Sequence, residues 1–335
     1  MGPSGRSTTT TSLITGITGQ DGTYLTDLLL SRNEHVVGLV RPGDPRRAEF
    51  ESGHPAVRLV EGDLGDQASL NAALEAANPD QLYNLAAMTM VGQSFSDPET
   101  TAQINGVGVL RLLEAVRMVN PEIHFLQASS AEMFGIPDEV PQTEKTAFHP
   151  RSPYGAAKVY AHHITINYRE AHGIHASSVI LYNHESPLRS EEFVTRKITR
   201  AAARIAAGLE TTLHLGNLAA ERDWGFAGDY VSAMQLAVAA PVPGDYVIAS
   251  GKTHSVEEFC ELAFSKVGLD YREHVKVDPA LFRPLEPFRL VGNPLRAYTE
   301  LGWEPATTFD ELVGMMVEHD VALIAGQLES SRQTR

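Results

Sequence analysis

The feature that most constrains the fold is a glycine-rich turn between an apolar strand and an amphipathic helix. Residues 12–15 form the strand, and Gly16, Gly19 and Gly22 follow at three-residue spacing. Apolar side chains at residues 24–29 then recur at helical spacing. Glycines at such a point let the backbone turn tightly and approach a pyrophosphate at a helix N-terminus. The context favours a dinucleotide site over a plain turn.

The alternation of strands and helices continues to residue 182. Strands are predicted at 12–15, 36–40, 57–60, 82–87, 123–128 and 178–182, with helices at 98–118 and from 154 to about 170. This order predicts an α/β fold with a doubly wound parallel (Rossmann) sheet and a smaller mixed α/β lobe.

The same pattern divides the chain. We expect a dinucleotide-binding domain at 12–182, to which residues 226–250 or so return. A substrate-binding lobe is expected at 183–225 and 251–330. Residues 1–11 are polar and low in complexity, which predicts a disordered tail.

Composition narrows the class of partner. The formal net charge of -15 argues against nucleic acid, which requires a concentrated positive face. The sequence contains no apolar run of about 18 residues, so we expect a cytoplasmic protein without a membrane segment. The 13 histidines show no metal-binding spacing, and the single cysteine, Cys260, lies in an apolar helical pattern typical of a core residue.

The end of the second strand bears on which cofactor is bound. Arg41 stands where an NAD site usually has an acidic residue for the ribose, and an arginine suits the 2'-phosphate of NADP. A solvated basic loop with Arg46 and Arg47 is the alternative interpretation. Asp63, after the third strand, is predicted to reach the adenine amino group.

The stretch from Ser129 to Lys158 carries the chemistry. Ser130 and Glu132 follow an apolar strand, at the edge where open α/β sheets bind ligands. Tyr154 and Lys158 are four residues apart and therefore share one helix face. A phenol with a nearby ammonium is suited to alcohol oxidation by hydride transfer, and we expect the Lys158 charge to favour the phenolate.

Glu132 adds a function that a simple reductase does not need. If oxidation produces a ketone on a sugar ring, the proton on the next carbon becomes acidic. A carboxylate can remove that proton, and its acid form can protonate a departing hydroxyl. A glutamate after a strand is also a common surface residue.

Motifs across almost the whole chain resemble the extended short-chain dehydrogenase/reductase family, and within it the GDP-mannose 4,6-dehydratases. The matching stretches are Ile14–Gly22, Gln127–Glu132, Pro150–Tyr154 with Lys158, Asn183–Pro187, Phe193–Ile198, Leu215–Leu218, Arg222–Gly225, Phe282–Pro284 with Glu286, and Leu301–Trp303.

The resemblance implies a role for each matched position. Tyr154, with Lys158, would be the base at the sugar C4 hydroxyl, Glu132 would take the C5 proton and assist loss of the C6 hydroxyl, and Ser130 would hydrogen-bond the substrate. The implied substrate contacts are Thr89, Asn183, Lys197, Arg222, Arg283 and Glu286. The implied NADP contacts are Gly16, Thr18, Gly19, Gln20, Asp21, Gly22, Arg41, Asp63, Leu64, Leu85, Ala86, Tyr154, Lys158 and His184. The partners implied are a GDP-sugar and a second copy of the chain, as a homodimer or a homotetramer.

Three segments depart from the family pattern. Pro42–Pro45 replaces a second arginine and a serine-rich loop after Arg41, Met88–Met90 replaces a more polar run beside the sugar, and Pro287–Arg289 replaces an element near the nucleotide.

Two alternatives to a dehydratase remain. A GDP-sugar 4-keto reductase or C4 epimerase of the same fold would need Ser130, Tyr154 and Lys158 but not Glu132. A non-catalytic NADP(H)-binding protein would need only the glycine-rich turn.

Overall fold

A computed structural model describes residues 9–282 and 289–333. The strands in these ranges are β1 Thr11–Thr15, β2 His35–Val40, β3 Arg58–Glu61, β4 Gln81–Asn84, β5 His124–Ser130, β6 Ala176–Leu181, β7 Asn183–Glu185, β8 Leu213–Leu215, β9 Glu221–Arg222, β10 Trp224–Phe226, β11 Asp245–Ile248, β12 His254–Ser255 and β13 Val275–Val277.

The α-helices are α1 Gln20–Ser31, α2 Arg47–Gly53, α3 Gln67–Ala77, α4 Gln93–Ser96, α5 Pro98–Ala102, α6 Gly108–Val119, α7 Pro153–His172, α8 Val194–Ala206, α9 Ala227–Ala239, α10 Val256–Ser265, α11 Tyr271–His274 and α12 Phe309–Gln333. Every helix in the described ranges is too short or too polar to cross a membrane.

Two predictions concern residues outside these ranges. Residues 1–8 of the predicted tail lie outside them, as do the predicted substrate contacts Arg283 and Glu286. The tail prediction extended too far, because Thr11 is the first residue of β1 and its amide donates to Asp80 Oδ2 at 2.9 Å.

The predicted doubly wound sheet is confirmed. In the described part of the chain, seven parallel strands pair in the order β3-β2-β1-β4-β5-β6-β11. The order reverses between β1 and β4, which opens a crevice at the carboxyl ends of these strands. Strand β11 follows α9 and pairs with β6 at the edge of the sheet.

Both faces of the sheet are buried, which explains why its strands read as continuous apolar runs. Leu13 and Ile14 are adjacent in β1 and point to opposite faces. Leu13 packs with residues of α3 and α6, whereas Ile14 packs with residues of α1 and α9. Both side chains are fully buried.

A third apolar core lies outside the sheet and is built from α8, α10 and α12. It contains Ile198, Trp224, Phe259 and Met316. Cys260 is fully buried in this core, as predicted, and burial raises the pKa of its thiol to about 12.

The helix predicted at 98–118 is interrupted. Helix α5 continues through a π-helical turn at Gln103–Val107 into α6. Within that turn, the Asn105 side chain accepts from the Met88 amide at 2.8 Å and donates to the Met88 carbonyl at 2.9 Å. Asn105, in the π-helical turn, therefore holds Met88 and with it the loop that follows β4.

Candidate active site

A cavity of about 370 Å³ opens at the carboxyl ends of β4, β5 and β6. That volume is within the range of small-molecule sites. The predicted site residues that line it are Asp21, Leu85, Thr89, Ser130, Glu132, Tyr154, Lys158, Asn183, His184, Lys197 and Arg222. The other predicted residues that the structure describes lie outside the lining: Gly16, Thr18, Gly19, Gln20, Gly22, Arg41, Asp63, Leu64 and Ala86.

The glycine-rich turn packs directly against the end of β4. Gly16 has a φ of +69°, and a Cβ there would lie 2.9 Å from the Ala86 backbone. A Cβ on Gly22 would lie 2.4 Å from the Ile17 carbonyl oxygen. Helix α1 begins after Gly19 without a side-chain cap among the described residues, so no side chain there occupies the amides of its first turn. These features fit a bound pyrophosphate.

A buried polar chain, missed by sequence reasoning, fixes the strand ends beneath this turn. Thr15 Oγ1 donates to Asn84 Oδ1 at 2.7 Å and accepts from the amides of Leu85 and Ala86 at 3.1 and 3.0 Å. Asn84 Nδ2 donates to Gln127 Oε1 at 2.8 Å. Three neighbouring strands, β1, β4 and β5, are thereby locked in register.

Ser130 and Glu132 are placed by a tight turn at the end of β5. Ser130 caps the 3-10 turn Ala131–Met133, and its hydroxyl accepts from the Glu132 amide at 3.2 Å. Gly155 packs against that turn, because a Cβ there would lie 2.7 Å from the Glu132 carbonyl. The first turn of α7, which carries Tyr154, is therefore held beside Glu132.

The Tyr154 phenol is buried and hydrogen-bonded. The Tyr154 pKa is raised to about 12, chiefly by burial and also by the Glu132 charge, although a hydrogen bond from Ser130 and the charge of Arg189 act to lower it. The expected lowering by Lys158 is not found. Lys158 Nζ lies 5.8 Å from the Tyr154 ring centre and donates to the Ala128 carbonyl at 2.8 Å. Burial lowers the Lys158 pKa to about 8.

An ion pair joins the first turn of α1 to β7. His184 Nε2 lies 2.9 Å from Asp21 Oδ2, and its Nδ1 lies 2.7 Å from the Tyr182 carbonyl. Both ring nitrogens thus face acceptors, which suits an imidazolium. Burial lowers the His184 pKa, but the Asp21 charge and the hydrogen bonds to Asp21 and to the Tyr182 carbonyl together outweigh it, so the net shift is upward. Gln20 adds a bond from Nε2 to the His184 carbonyl at 3.0 Å.

Arg189 is a cation at the cavity that sequence reasoning missed. Its Nε lies 3.1 Å from Glu185 Oε2, and its guanidinium stacks 3.5 Å above the Phe193 ring. Glu185 is buried and also accepts from Thr195 Oγ1 at 2.6 Å. In the sequence, Arg189 could have been found by its position two residues after the Asn183–Pro187 motif.

The predicted substrate contacts Thr89, Asn183, Lys197 and Arg222 line the same cavity. Lys197, in α8, donates to the His214 carbonyl at 3.0 Å, and Arg222 donates to the Glu221 carbonyl at 2.7 Å. Thr89 lies on the loop held by Asn105. The cavity is therefore lined by Lys158, Arg189, Lys197 and Arg222 although the chain is strongly acidic.

The remaining predicted cofactor residues lie at the ends of β2 and β3. Arg41 is exposed directly after β2. Asp63 Oδ1 accepts from the Gly65 amide at 2.7 Å, and Leu64 is buried. Together with the glycine-rich turn they form the crevice edge where this fold binds adenosine.

Comparison with known proteins decides among the enzymes that share this arrangement. The profile of the family described as GDP-mannose 4,6 dehydratase matches residues 13–316. The chain belongs to the GDP-mannose 4,6-dehydratase family. The family resemblance noted in the sequence is thereby confirmed.

Members of the GDP-mannose 4,6-dehydratase family align along nearly the full chain. GDP-mannose 4,6 dehydratase 1 of Arabidopsis thaliana is 48% identical, covering 93% of this chain and 90% of that protein. GDP-mannose 4,6-dehydratase of Sinorhizobium fredii is 44% identical, covering 94% and 97%.

Solved structures share the fold. UDP-glucose 4-epimerase of Thermus thermophilus in complex with NAD has a TM-score of 0.82 at 26% identity, covering 92% of this chain and 98% of that one. RMD of Pseudomonas aeruginosa complexed with NADPH has a TM-score of 0.79 at 25% identity, covering 94% and 100%.

Proposed function

We propose that this enzyme is a nucleotide-sugar 4,6-dehydratase that converts GDP-mannose to GDP-4-dehydro-6-deoxy-mannose and water. Its family and the near full-length relatives of that name support the reaction. The observation that carries the proposal is the position of Glu132 beside Tyr154 in one cavity.

Tyr154 is the proton acceptor for the sugar C4 hydroxyl. A nicotinamide dinucleotide held at the glycine-rich turn would supply the hydride chemistry, so that a hydride taken from C4 could be returned at C6 without net use of cofactor. Because the Tyr154 pKa is about 12 without ligands, ionisation needs positive charge nearby. Arg189 and the Ser130 hydroxyl already favour the phenolate.

Glu132 performs the elimination. The ketone at C4 acidifies the C5 proton, which the Glu132 carboxylate removes; the resulting acid then protonates the departing C6 hydroxyl, which leaves as water. Of the three other carboxylates that line the cavity in the described part of the chain, Asp21 and Glu185 are paired with His184 and Arg189, and Glu192 is exposed. A role in positioning the phenol and the sugar is proposed for Ser130.

Lys197 and Arg222, which line the cavity, are proposed to bind the GDP diphosphate. Thr89, Asn183, Lys197 and Arg222 line the cavity and are proposed to contact the substrate, as are Arg283 and Glu286. Arginine and lysine side chains offset the diphosphate charge in a cleft of an otherwise acidic protein.

NADP is proposed as the cofactor, because Arg41 follows β2 where a 2'-phosphate is recognised. A calorimetric titration should then show tighter binding of NADPH than of NADH, and equal affinities would contradict this choice. We further propose the domain boundaries given above, a homodimer or homotetramer, and a cytoplasmic location. Light scattering tests the oligomeric state.

The reaction itself is tested by incubation with GDP-mannose and mass spectrometry. The dehydratase predicts a product lighter by one water without net consumption of cofactor. A 4-keto reductase would consume NADPH on a keto substrate, and a C4 epimerase would give a product of unchanged mass. Either result would replace the proposed reaction.

A further inference from the structure

The loop after β2 is shaped by its own sequence into a fixed turn. The Asp44 amide donates to the Arg41 carbonyl at 3.1 Å, and Pro42 and Gly43 occupy the two central positions. Gly43 has a φ of +76°, and proline followed by such a glycine is the pattern of a type II turn. The turn therefore aims Asp44 in a defined direction.

That direction is towards the glycine-rich turn. Asp44 Oδ2 accepts from Thr18 Oγ1 at 3.0 Å, and its Oδ1 accepts from the Arg46 amide at 3.0 Å. The Asp44 side chain is only 9% exposed. Burial raises its pKa, but these hydrogen bonds and the charges of Arg46 and Arg41 lower it overall, so a carboxylate is present at neutral pH.

The site of this carboxylate matters because of what the fold binds there. In doubly wound folds an acidic residue about 20 positions after the glycine-rich turn accepts from the adenosine ribose 2'-hydroxyl. Asp44 follows Gly22 by 22 residues and contacts Thr18 of that turn. An ionised carboxylate there attracts a hydroxyl donor and repels a phosphate.

The cations around it oppose this effect only in part. Arg47 is paired with Glu51 at 3.1 Å and with Glu61 at 2.7 Å, so its charge is balanced locally. Arg46 Nε lies 3.7 Å from Asp44 Oδ1. Arg46 is itself exposed, and Arg41, exposed directly after β2, is the cation proposed to meet a 2'-phosphate, with the Asp44 carboxylate three residues away.

We propose that Asp44 is a cofactor-specificity residue that accepts from the ribose 2'-hydroxyl of NAD(H) and reduces the preference for NADP(H) that Arg41 provides. This inference rests on the dinucleotide site of the proposed function. Arg41 and Asp44 then have opposite effects on the ratio of the affinity for NADPH to the affinity for NADH.

The test is calorimetric titration of the full chain, freed of copurified nucleotide, with NADPH and NADH. Asp44→Asn keeps the side-chain size and an acceptor for Thr18 and removes the charge. We expect it to raise the NADPH-to-NADH affinity ratio about tenfold, as for loss of one partly screened repulsion. Arg41→Ala should lower the same ratio. Glu49→Gln, an exposed change on α2, is the matched control and should leave the ratio as in the wild type.

Titration with adenosine 2',5'-bisphosphate and with AMP localises the effect, because these fragments contain only the ribose end. The proposal requires the Asp44→Asn shift to appear with the fragments as well. An unchanged ratio, an equal loss of both affinities, or an equal shift in Glu49→Gln would overturn it. Preference of the wild type for NADH would instead refute the choice of NADP, while the direction of the Asp44→Asn shift still tests Asp44.

Discussion

A buried ion pair between α8 and α12 supports the loop that borders the cavity. Arg196 Nη2 lies 2.8 Å from Asp320 Oδ1, and Thr199 Oγ1 donates to Asp320 Oδ2 at 2.7 Å. Arg196 also donates to the carbonyls of Pro187 and Arg189, on the loop after β7. The C-terminal helix is thus connected to the segment that presents Arg189.

Replacement of Asp320 by Ala should therefore be costly. The Arg196 and Asp320 side chains are 7% and 0% exposed, so the variant leaves a buried guanidinium without its carboxylate. Breaking a buried pair from one side costs about 3–5 kcal/mol. The loop should also loosen, which raises KM for GDP-mannose more than it lowers kcat.

Urea unfolding followed by tryptophan fluorescence measures the loss. Asp310→Ala is the matched control on the same helix, since the Lys266–Asp310 pair is 35% and 63% exposed and should contribute at most about 1 kcal/mol. Arg196→Met with Asp320→Leu removes both charges and should cost much less than Asp320→Ala alone. If Asp320→Ala costs no more than Asp310→Ala, the pair does not hold the loop in the way described.

Two further predictions concern pH. The Lys158 pKa is lowered from 10.5 to about 8, so the charged lysine destabilises the cofactor-free fold fully below pH 8, and this cost disappears as the pH rises towards 10.5. Lys158→Met should therefore stabilise the cofactor-free fold at pH 7, by on the order of 1–3 kcal/mol, but not at pH 10.5. Thermal melts of the wild type and the variant across this pH range measure the gain, and a gain independent of pH would contradict this prediction. The His184 pKa is raised, so its pairing with Asp21 stabilises the fold fully below pH 6.5 and is lost as the pH rises through the raised value. His184→Gln should cost more stability at pH 6 than at pH 9, and an equal cost at both pH values would argue against the ion pair.

The sheet could be predicted because each of its sequence signals lies within one short segment of the chain. Parallel strands covered on both faces read as apolar runs, and the glycine spacing marks the first turn in one short segment. Ser130, Glu132, Tyr154 and Lys158 were predictable for the same reason, since strand ends and helix faces follow from spacing. The structure brings all four to one cavity.

What could not be predicted depends on residues that are distant in sequence. The Thr15, Asn84 and Gln127 chain exists only once β1, β4 and β5 are in register. The Tyr154 pKa in the cofactor-free structure is set mainly by burial, which spacing does not reveal. Asp44 is visible in the sequence, but its contact with Thr18 is visible only in the structure.

The central claim is that Glu132 carries out the elimination. Mass spectrometry of GDP-mannose incubated with Glu132→Gln measures this directly, with Glu122→Gln, an exposed change beside β5, as the control. Because Glu132→Gln removes a positioned acid-base group, it should form the dehydrated product about 10²–10⁴-fold more slowly than the wild type. Glu122→Gln should turn over like the wild type, and both variants should bind NADPH as the wild type does. Turnover by Glu132→Gln within about threefold of wild type, far from the loss expected for an acid-base group, would contradict the assignment.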